Sequence, residues 1–341
     1  MALRIGHWGF VPHPAYLETC ARDPALEVVP IAAGASIEDA IATLVSCDAY
    51  YVMAARDELP APLHVTAALL ARLPRLLMAA SYGAGYDTLD PEACTEAGVL
   101  LVNQAGGNAS GVAEHAVGMM LALIKRMPEA QAAMRQGQAR DRSALMGREL
   151  SGRTIGLVGC GHVGTRVTAI LKAGFGCRIL ACDPHLDAAT IASRGAEKMT
   201  LDALLAASDV VSLHCPLSAE TRGMFGAARF AAMRPGAIFV TTARGSIHDE
   251  AALLAALDSG HLAGAGLDVW TVEPPPADHP LLRHPKVIAS QHTAGVTEES
   301  RANISRIAAL AFSDLAAGRL PPRIVNPEVL PRFRARWNGP R

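Results

Sequence analysis

The stretch "TIGLVGCGHVGTRVTAIL", residues 154–171, decides the fold. Thr154 to Val158 form a short run rich in β-formers, and Val163, Val167, Ile170 and Leu171 then recur at helical spacing. Between the two runs stand Gly159, Gly161 and Gly164 as G-x-G-x-x-G. The first glycine allows a tight turn, the second lets backbone approach a pyrophosphate, and the third lets helix and strand pack closely. The helix N-terminus then offers unbonded N–H groups and the positive end of its dipole to phosphates. Asp183 closes the next β run. A carboxylate there bonds ribose hydroxyls and repels a 2′-phosphate, so NAD is expected rather than NADP.

The same alternation extends in both directions, the pattern of an α/β protein with parallel sheets. Before the glycine loop, "ALRIG", "EVVPIAA", "AYYVMA", "LLMAAS" and "VLLVNQ" are separated by helix candidates such as "SIEDAIATLV" and "APLHVTAALLARL". That series stops near Gln104. A long apolar helix is expected from Asn108 to Met127, suited to an interdomain hinge or a subunit interface. After the glycine loop come "RILACD", "VVSLHC", "AIFVTTA", "GAGLDV" and "VIASQ". One more helix, from about Glu298 to Ala317, follows Thr297 as its N-cap. Residues 318–341, rich in Pro and Arg, read as an extended tail.

Composition narrows the function. The chain has 341 residues, a net charge of −1 and half its residues apolar. Length predicts about two domains. The near-zero charge gives no general attraction for nucleic acid or acidic membranes. No apolar run reaches the ~18 residues a membrane span needs. The start "MALRIGHWGF" lacks a basic region followed by an apolar one, so a cytoplasmic location is expected. The seven cysteines have no C-x-x-C spacing and read as reduced thiols; the histidines form no metal motif, and no metal is expected.

Two side chains are placed by the alternation alone. Arg244 follows "AIFVTTA" directly and His292 follows "VIASQ", which sets both at the carboxyl edge of the sheet, where open α/β folds bind ligands. An arginine there offers a planar fork that matches a carboxylate. Glu273 stands before Pro274, Pro275 and Pro276, either as an exposed loop residue or as half of an acid/base pair.

Several longer motifs in order carry a family resemblance: "SYGAGYDTLD", "NASGVAEHAVGMML", "ELSGRTIGLVGCGHVG", "HCPLSAETRGM", "TTARGSIHDEAALLAALDSGHLAGAGLDVWTVEPP", "SQHTAG" and "VNPEV". Over most of its length the chain resembles the NAD-dependent D-isomer-specific 2-hydroxyacid dehydrogenases. The resemblance implies a Rossmann-type doubly wound NAD-binding domain over 105–297, and a smaller flavodoxin-like α/β substrate domain from 1–104 and 298–341. It implies Arg244, Glu273 and His292 as the catalytic triad, and backbone N–H groups around Gly83, Ala84 and Gly85 as a clamp for the substrate carboxylate. Cofactor contacts are implied for Gly159, Gly161, His162, Val163, Gly164, Asp183, Pro184, His214, Cys215, Pro216, Thr221, Thr242, Ala243, Asp268, His292 and Ala294. The implied substrate is a small 2-keto or 2-hydroxy acid, and the implied assembly is a homodimer through the helix near 108–127.

The sequence departs from the family pattern in two places. Gln291 stands where proline usually precedes the catalytic histidine. The loop "VMAARDEL" lacks an early arginine, which favours an unphosphorylated acid such as glyoxylate, hydroxypyruvate or a branched keto acid. Two rivals stay open at this stage. Formate dehydrogenases share the architecture but usually carry glutamine at the place of Glu273. An NAD(H)-sensing corepressor on the same fold can keep the triad, so only turnover separates it from an enzyme.

Overall fold

The computed structural model describes residues 2–137 and 141–337. The chain divides into two units, residues 1–108 with 296–341 and residues 109–295.

Unit 1 opens with β1 (Leu3–Trp8), α1 (Ala15–Cys20), β2 (Leu26–Ile31), α2 (Ile37–Val45) and β3 (Ala49–Val52). It continues through α3 (Ala67–Leu70), β4 (Met78–Ser81), α4 (Pro91–Ala97) and β5 (Leu100–Val102). Its sheet has the order β2-β1-β3-β4-β5, and every pairing is parallel. That is the flavodoxin-like order. Strands covered on both faces have no polar side, which is why "AYYV" in β3 and "MAAS" in β4 are buried throughout.

Unit 2 begins with α5 (Ala109–Ile124) and α6 (Met127–Arg135) and then runs β6 (Thr154–Val158), α7 (His162–Phe175), β7 (Arg178–Cys182), α8 (Ala188–Ser193) and β8 (Glu197–Lys198). Its second half is α9 (Leu201–Ala207), β9 (Val210–Leu213), α10 (Ala227–Ala232), β10 (Ala237–Thr241), α11 (Glu250–Asp258), β11 (Leu262–Leu267), α12 (Pro280–Arg283) and β12 (Val287–Ala289). The sheet order is β12-β11-β10-β9-β6-β7-β8, again all parallel. Strand order reverses between β6 and β9, the switch point of a doubly wound Rossmann-type sheet, and the glycine loop leaves β6 beside it.

The chain then returns to unit 1 as α13 (Glu298–Ala316) and α14 (Leu330–Arg336). Thr297 caps α13, its hydroxyl accepting from the Ser300 N–H at 3.1 Å.

Three expectations are corrected. The helix expected to reach Met127 ends at Ile124, because Arg126 takes a left-handed turn (φ 54°) and a separate helix starts at Met127. The helix candidate "APLHVTAALLARL" is broken in the middle, where Val65 forms a parallel bridge with Leu89. The tail is not extended as far as Trp337. Val329 and Phe333 are fully buried in the core of unit 1, and Arg336 bonds the carbonyls of Ala97, Pro74 and Leu76. Leu330, Phe333 and Trp337 share one helical face, a signal hidden by the surrounding prolines and arginines. The last four residues of that expected tail, 338–341, lie outside the described residues.

Candidate active site

Two of the three glycines of the loop sit where backbone approaches closely, and the other borders open space. A Cβ on Gly159 (φ 97°) would lie 2.7 Å from the Cys215 nitrogen, and one on Gly164 would lie within 2.4 Å of the Gly159 carbonyl oxygen. At Gly161 a Cβ would meet nothing within 4 Å. Loop and strand end therefore close around the first and third glycines, and the second faces open space at the N-terminus of α7, where His162 and Val163 begin the helix. Asp183, just past β7, accepts from the Cys160 N–H and the His185 N–H, both at 3.0 Å, across the turn at Pro184. Arg194 donates to the Cys160 carbonyl.

Two buried polar atoms at neighbouring strand ends have no protein partner among the described residues, the Thr242 hydroxyl after β10 and His214 Nδ1 after β9. The other His214 nitrogen lies 3.0 Å from the Ser212 hydroxyl, and burial pulls its pKa down to about 4, so the ring is neutral. Open space beside Gly161, amides at a helix start and orphan polar atoms facing no protein group fit a dinucleotide. Cys215 and Pro216 continue from His214. The Thr221 hydroxyl is held inside its own loop, donating to the Pro216 carbonyl at 2.7 Å and accepting from the Ser218 N–H at 2.8 Å.

The same edge of the sheet assembles the acid/base residues. His292 Nδ1 lies 2.7 Å from Glu273 Oε2, and Glu273 Oε1 accepts from the Trp270 N–H at 2.9 Å. One carboxylate oxygen is thus fixed by backbone, which aims the other at the ring. Burial pulls the His292 pKa down, but the hydrogen bond and charge of Glu273 outweigh it and the net shift is upward. Arg244 trims that rise, and the charge of Asp268 adds to it. For Glu273, burial acts upward, yet the bond and charge of His292, the Trp270 N–H and Arg244 bring the carboxyl below its usual range.

Arg244 reaches this cluster because Gly245 follows it. A Cβ on Gly245 would lie 1.9 Å from the Trp270 carbonyl carbon, so only glycine lets the end of β10 pass against the 270–271 backbone. The Arg244 side chain also donates to the Ala243 carbonyl at 2.7 Å.

Asp268 is fully buried, one residue beyond β11. Its Oδ1 accepts from the Ser290 hydroxyl at 2.6 Å and the Thr293 N–H at 2.8 Å, its Oδ2 from the Ala294 N–H at 3.0 Å, and its carbonyl from the His292 N–H at 2.6 Å. It therefore organises the histidine loop. Sequence reasoning missed this part, along with Trp270, Gly245 and Ser290.

In unit 1, Gly83, Ala84 and Gly85 follow β4. Their carbonyls are all taken up, by the Gln104 N–H at 2.9 Å, by Asn103 Nδ2 at 2.9 Å and by the Ser81 hydroxyl. In a trans peptide the N–H points opposite its carbonyl, so the amides of Ala84, Gly85 and Tyr86 face away from these partners.

A glycine cradle at the switch point and a carboxylate-bonded histidine on the same sheet edge define a dinucleotide-binding α/β protein. Residues 117–294 match the family model "D-isomer specific 2-hydroxyacid dehydrogenase, NAD binding domain". The chain is 36% identical over 318 residues to rat D-3-phosphoglycerate dehydrogenase, covering 92% of this chain and 58% of that protein. Among solved structures, the TT0316 protein of Thermus thermophilus superposes with a TM-score of 0.80 at 30% identity, covering 94% of this chain and 99% of that one. The D-lactate dehydrogenase of Aquifex aeolicus, complexed with NAD and lactic acid, gives a TM-score of 0.80 at 25% identity, with 94% and 99% covered. The chain belongs to the D-isomer specific 2-hydroxyacid dehydrogenase family, and its cofactor is NAD(H). It spans only 58% and 45% of the length of two curated relatives that it matches. No helix among the described residues is long and apolar enough to cross a membrane.

Proposed function

We propose that the protein reduces a small 2-keto acid to the D-2-hydroxy acid with NADH, and runs the reverse oxidation with NAD. The observation that carries this reading is the 2.7 Å contact of His292 with Glu273 on the sheet edge that also bears Arg244. NADH, when bound, supplies hydride to C2 of the keto acid. Negative charge then grows on the carbonyl oxygen, and His292 delivers the proton that meets it. Glu273 holds Nδ1, which leaves Nε2 as the proton-bearing atom presented to substrate. Arg244 binds the substrate carboxylate and polarises the reacting carbonyl, which both orients the acid and stabilises developing charge. The amides around Gly83, Ala84 and Gly85 are the carboxylate donors proposed for unit 1.

For the cofactor, Gly159, Gly161, Gly164 and the start of α7 hold the pyrophosphate, and Asp183 bonds the ribose, favouring NAD over NADP. The remaining contacts fall to Pro184, His214 to Pro216, Thr221, Thr242, Ala243, Asp268 and Ala294. The substrate is a small unphosphorylated acid, glyoxylate, hydroxypyruvate or a branched keto acid. The same reading makes the protein a cytoplasmic homodimer joined through the helix near 108–127, which sedimentation would measure.

The test is a panel of 2-keto acids with NADH, and of D-lactate, D-mandelate and D-3-phosphoglycerate with NAD, followed at the nicotinamide absorbance. Reduction of at least one unphosphorylated keto acid is expected. NADH binding with no turnover of any member overturns the enzymatic reading.

A further inference from the structure

His115 lies on α5, outside the cluster described above, and the sheet shows why it is where it is. Gly264, Gly266 and Asp268 alternate along β11 and its end, so they share one face. A Cβ on Gly264 would lie 3.0 Å from Leu123 Cδ2, and one on Gly266 would lie 3.0 Å from Met119 Cβ. His115 is the next residue in the series 123, 119, 115. Four helical residues rise about 6 Å and two strand residues about 6.6 Å, so the two series stay in register. The absent side chains at Gly264 and Gly266 let α5 lie close on β11, and the third match sets His115 over Asp268. The distances agree, with His115 Nε2 2.9 Å from the Ser290 hydroxyl and 3.8 Å from Asp268 Oδ1.

The direction of the chain of bonds follows from its acceptor-only end. An ionised Asp268 can only accept, so Ser290 donates to it and accepts from His115 Nε2–H. Asp268 in turn gathers the amides of Thr293 and Ala294 and the N–H of His292. His292 needs such a clamp, since it stands at φ 50°. A side chain in that region is strained by the approach of Cβ to the backbone, and the loop must supply contacts that outweigh it.

We infer that His115 and Ser290 are positioning residues for His292: through Asp268 they hold the 290–294 loop in the conformation that keeps the imidazole on Glu273. The inference rests on the role proposed for His292. Arg244, Glu273 and Asp268 are the charged groups that act on the ring, and none of them is itself substituted when His115 or Ser290 is changed.

The experiment follows the His292 ring by NMR through a pH titration, with labelled histidine in the intact chain, beside kcat and NADH affinity. His115→Phe and Ser290→Ala should loosen the Glu273 contact, moving the ring's titration down toward ordinary imidazole and lowering kcat about tenfold. The loss should fall on kcat and not on NADH affinity. His115→Gln and Ser290→Thr keep the donor and the hydroxyl and should restore both readouts. Acting in series, the double variant His115→Phe/Ser290→Ala should be no worse than Ser290→Ala alone. His115 is partly exposed, so His115→Phe gives a folded protein even where Ser290→Ala does not. A His292 titration in His115→Phe that overlays the parent's overturns the inference, and so does strict additivity in the double variant. The titration needs no turnover, so it decides this question even in a chain that reduces no keto acid. A flat result in an active enzyme leaves the proposed activity standing.

Discussion

The carboxyl edges of the two sheets carry different equipment. At the edge of unit 1, the carbonyls of Gly83, Ala84 and Gly85 are tied inward by Gln104, Asn103 and Ser81, and the neighbouring Phe10 is an exposed aromatic ring. At the edge of unit 2, Glu273, Arg244 and Asp268 all act on the titration of His292, and backbone N–H groups bind both carboxylates. Both edges occupy the generic ligand position of an open α/β sheet. The difference is what has been desolvated. Unit 1 offers fixed backbone dipoles that need no protonation state, whereas unit 2 holds side chains whose protonation depends on their neighbours. In the proposed reaction, proton transfer is therefore confined to unit 2.

The hardest test of that division is His292→Asn. Removing a general acid costs about 10²–10⁴-fold, so kcat should fall by that order while NADH affinity holds, as measured by steady-state kinetics and fluorescence titration. Retained turnover would move the proton donor elsewhere. Phe333→Ala probes the other side. Phe333 is fully buried in unit 1, and truncating such a ring costs about 3–5 kcal/mol. Calorimetry should show unit 1 destabilised by that order, with NADH affinity unchanged; a matching loss of NADH affinity would break the separation.

Glu273→Gln sharpens the comparison through pH. The hydrogen bond and then the charge of Glu273 do most to lift His292 above its ordinary pKa against burial. Keto-acid reduction needs the imidazolium, so its rate is full below that pKa and falls above it. With glutamine the alkaline limb should move to lower pH, costing about tenfold in rate for each unit of displacement. Oxidation of the hydroxy acid needs neutral imidazole, so its acid limb should move the same way and extend activity to lower pH. A pH–rate profile in both directions measures this, and limbs that stay in place would remove Glu273 as the partner that sets the titration.

Much of this organisation was legible because it is local. Gly159, Gly161 and Gly164 are read from their spacing between a β run and a helix, and the close approach at Gly164 is to Gly159 itself, five residues away. Thr297 sits immediately before the helix it caps, accepting from Ser300. What could not be read depends on contacts distant in sequence. Gly245 is required by the backbone of Trp270, and the clamp of Asp268 on the histidine loop closes over more than twenty residues. Val65 breaks a helical pattern because it bridges Leu89, a tertiary preference that outweighs helix propensity. The pairing of Glu273 with His292 came from family resemblance, since sequence alone left Glu273 open between a loop carboxylate and a partner. The contact itself is aimed by Trp270 N–H, a backbone group that side-chain chemistry cannot signal.

The smallest effect belongs to Asp183, and it separates two roles that one side chain combines. Its oxygens accept from the Cys160 and His185 amides, so it tethers the glycine loop. Its charge is what the NAD preference requires, because a carboxylate beside the ribose repels a 2′-phosphate. Asp183→Asn removes the charge but keeps one acceptor oxygen, enough for one of the two amide bonds, whereas Asp183→Ala removes the charge and both acceptors. If the charge sets selectivity, both variants should narrow the NADH-to-NADPH affinity ratio, by about tenfold for ~1.4 kcal/mol of lost repulsion, and the alanine variant should weaken NADH more than the asparagine variant, through a looser loop. Arg194, already bonded to the Cys160 carbonyl, leaves a cation near that loop once the carboxylate is gone, which acts in the same direction. Titrations of both nucleotides against the two variants resolve the roles. A ratio that stays fixed in Asp183→Asn while NADH weakens in Asp183→Ala would reduce Asp183 to a tether and place the cofactor preference elsewhere in unit 2.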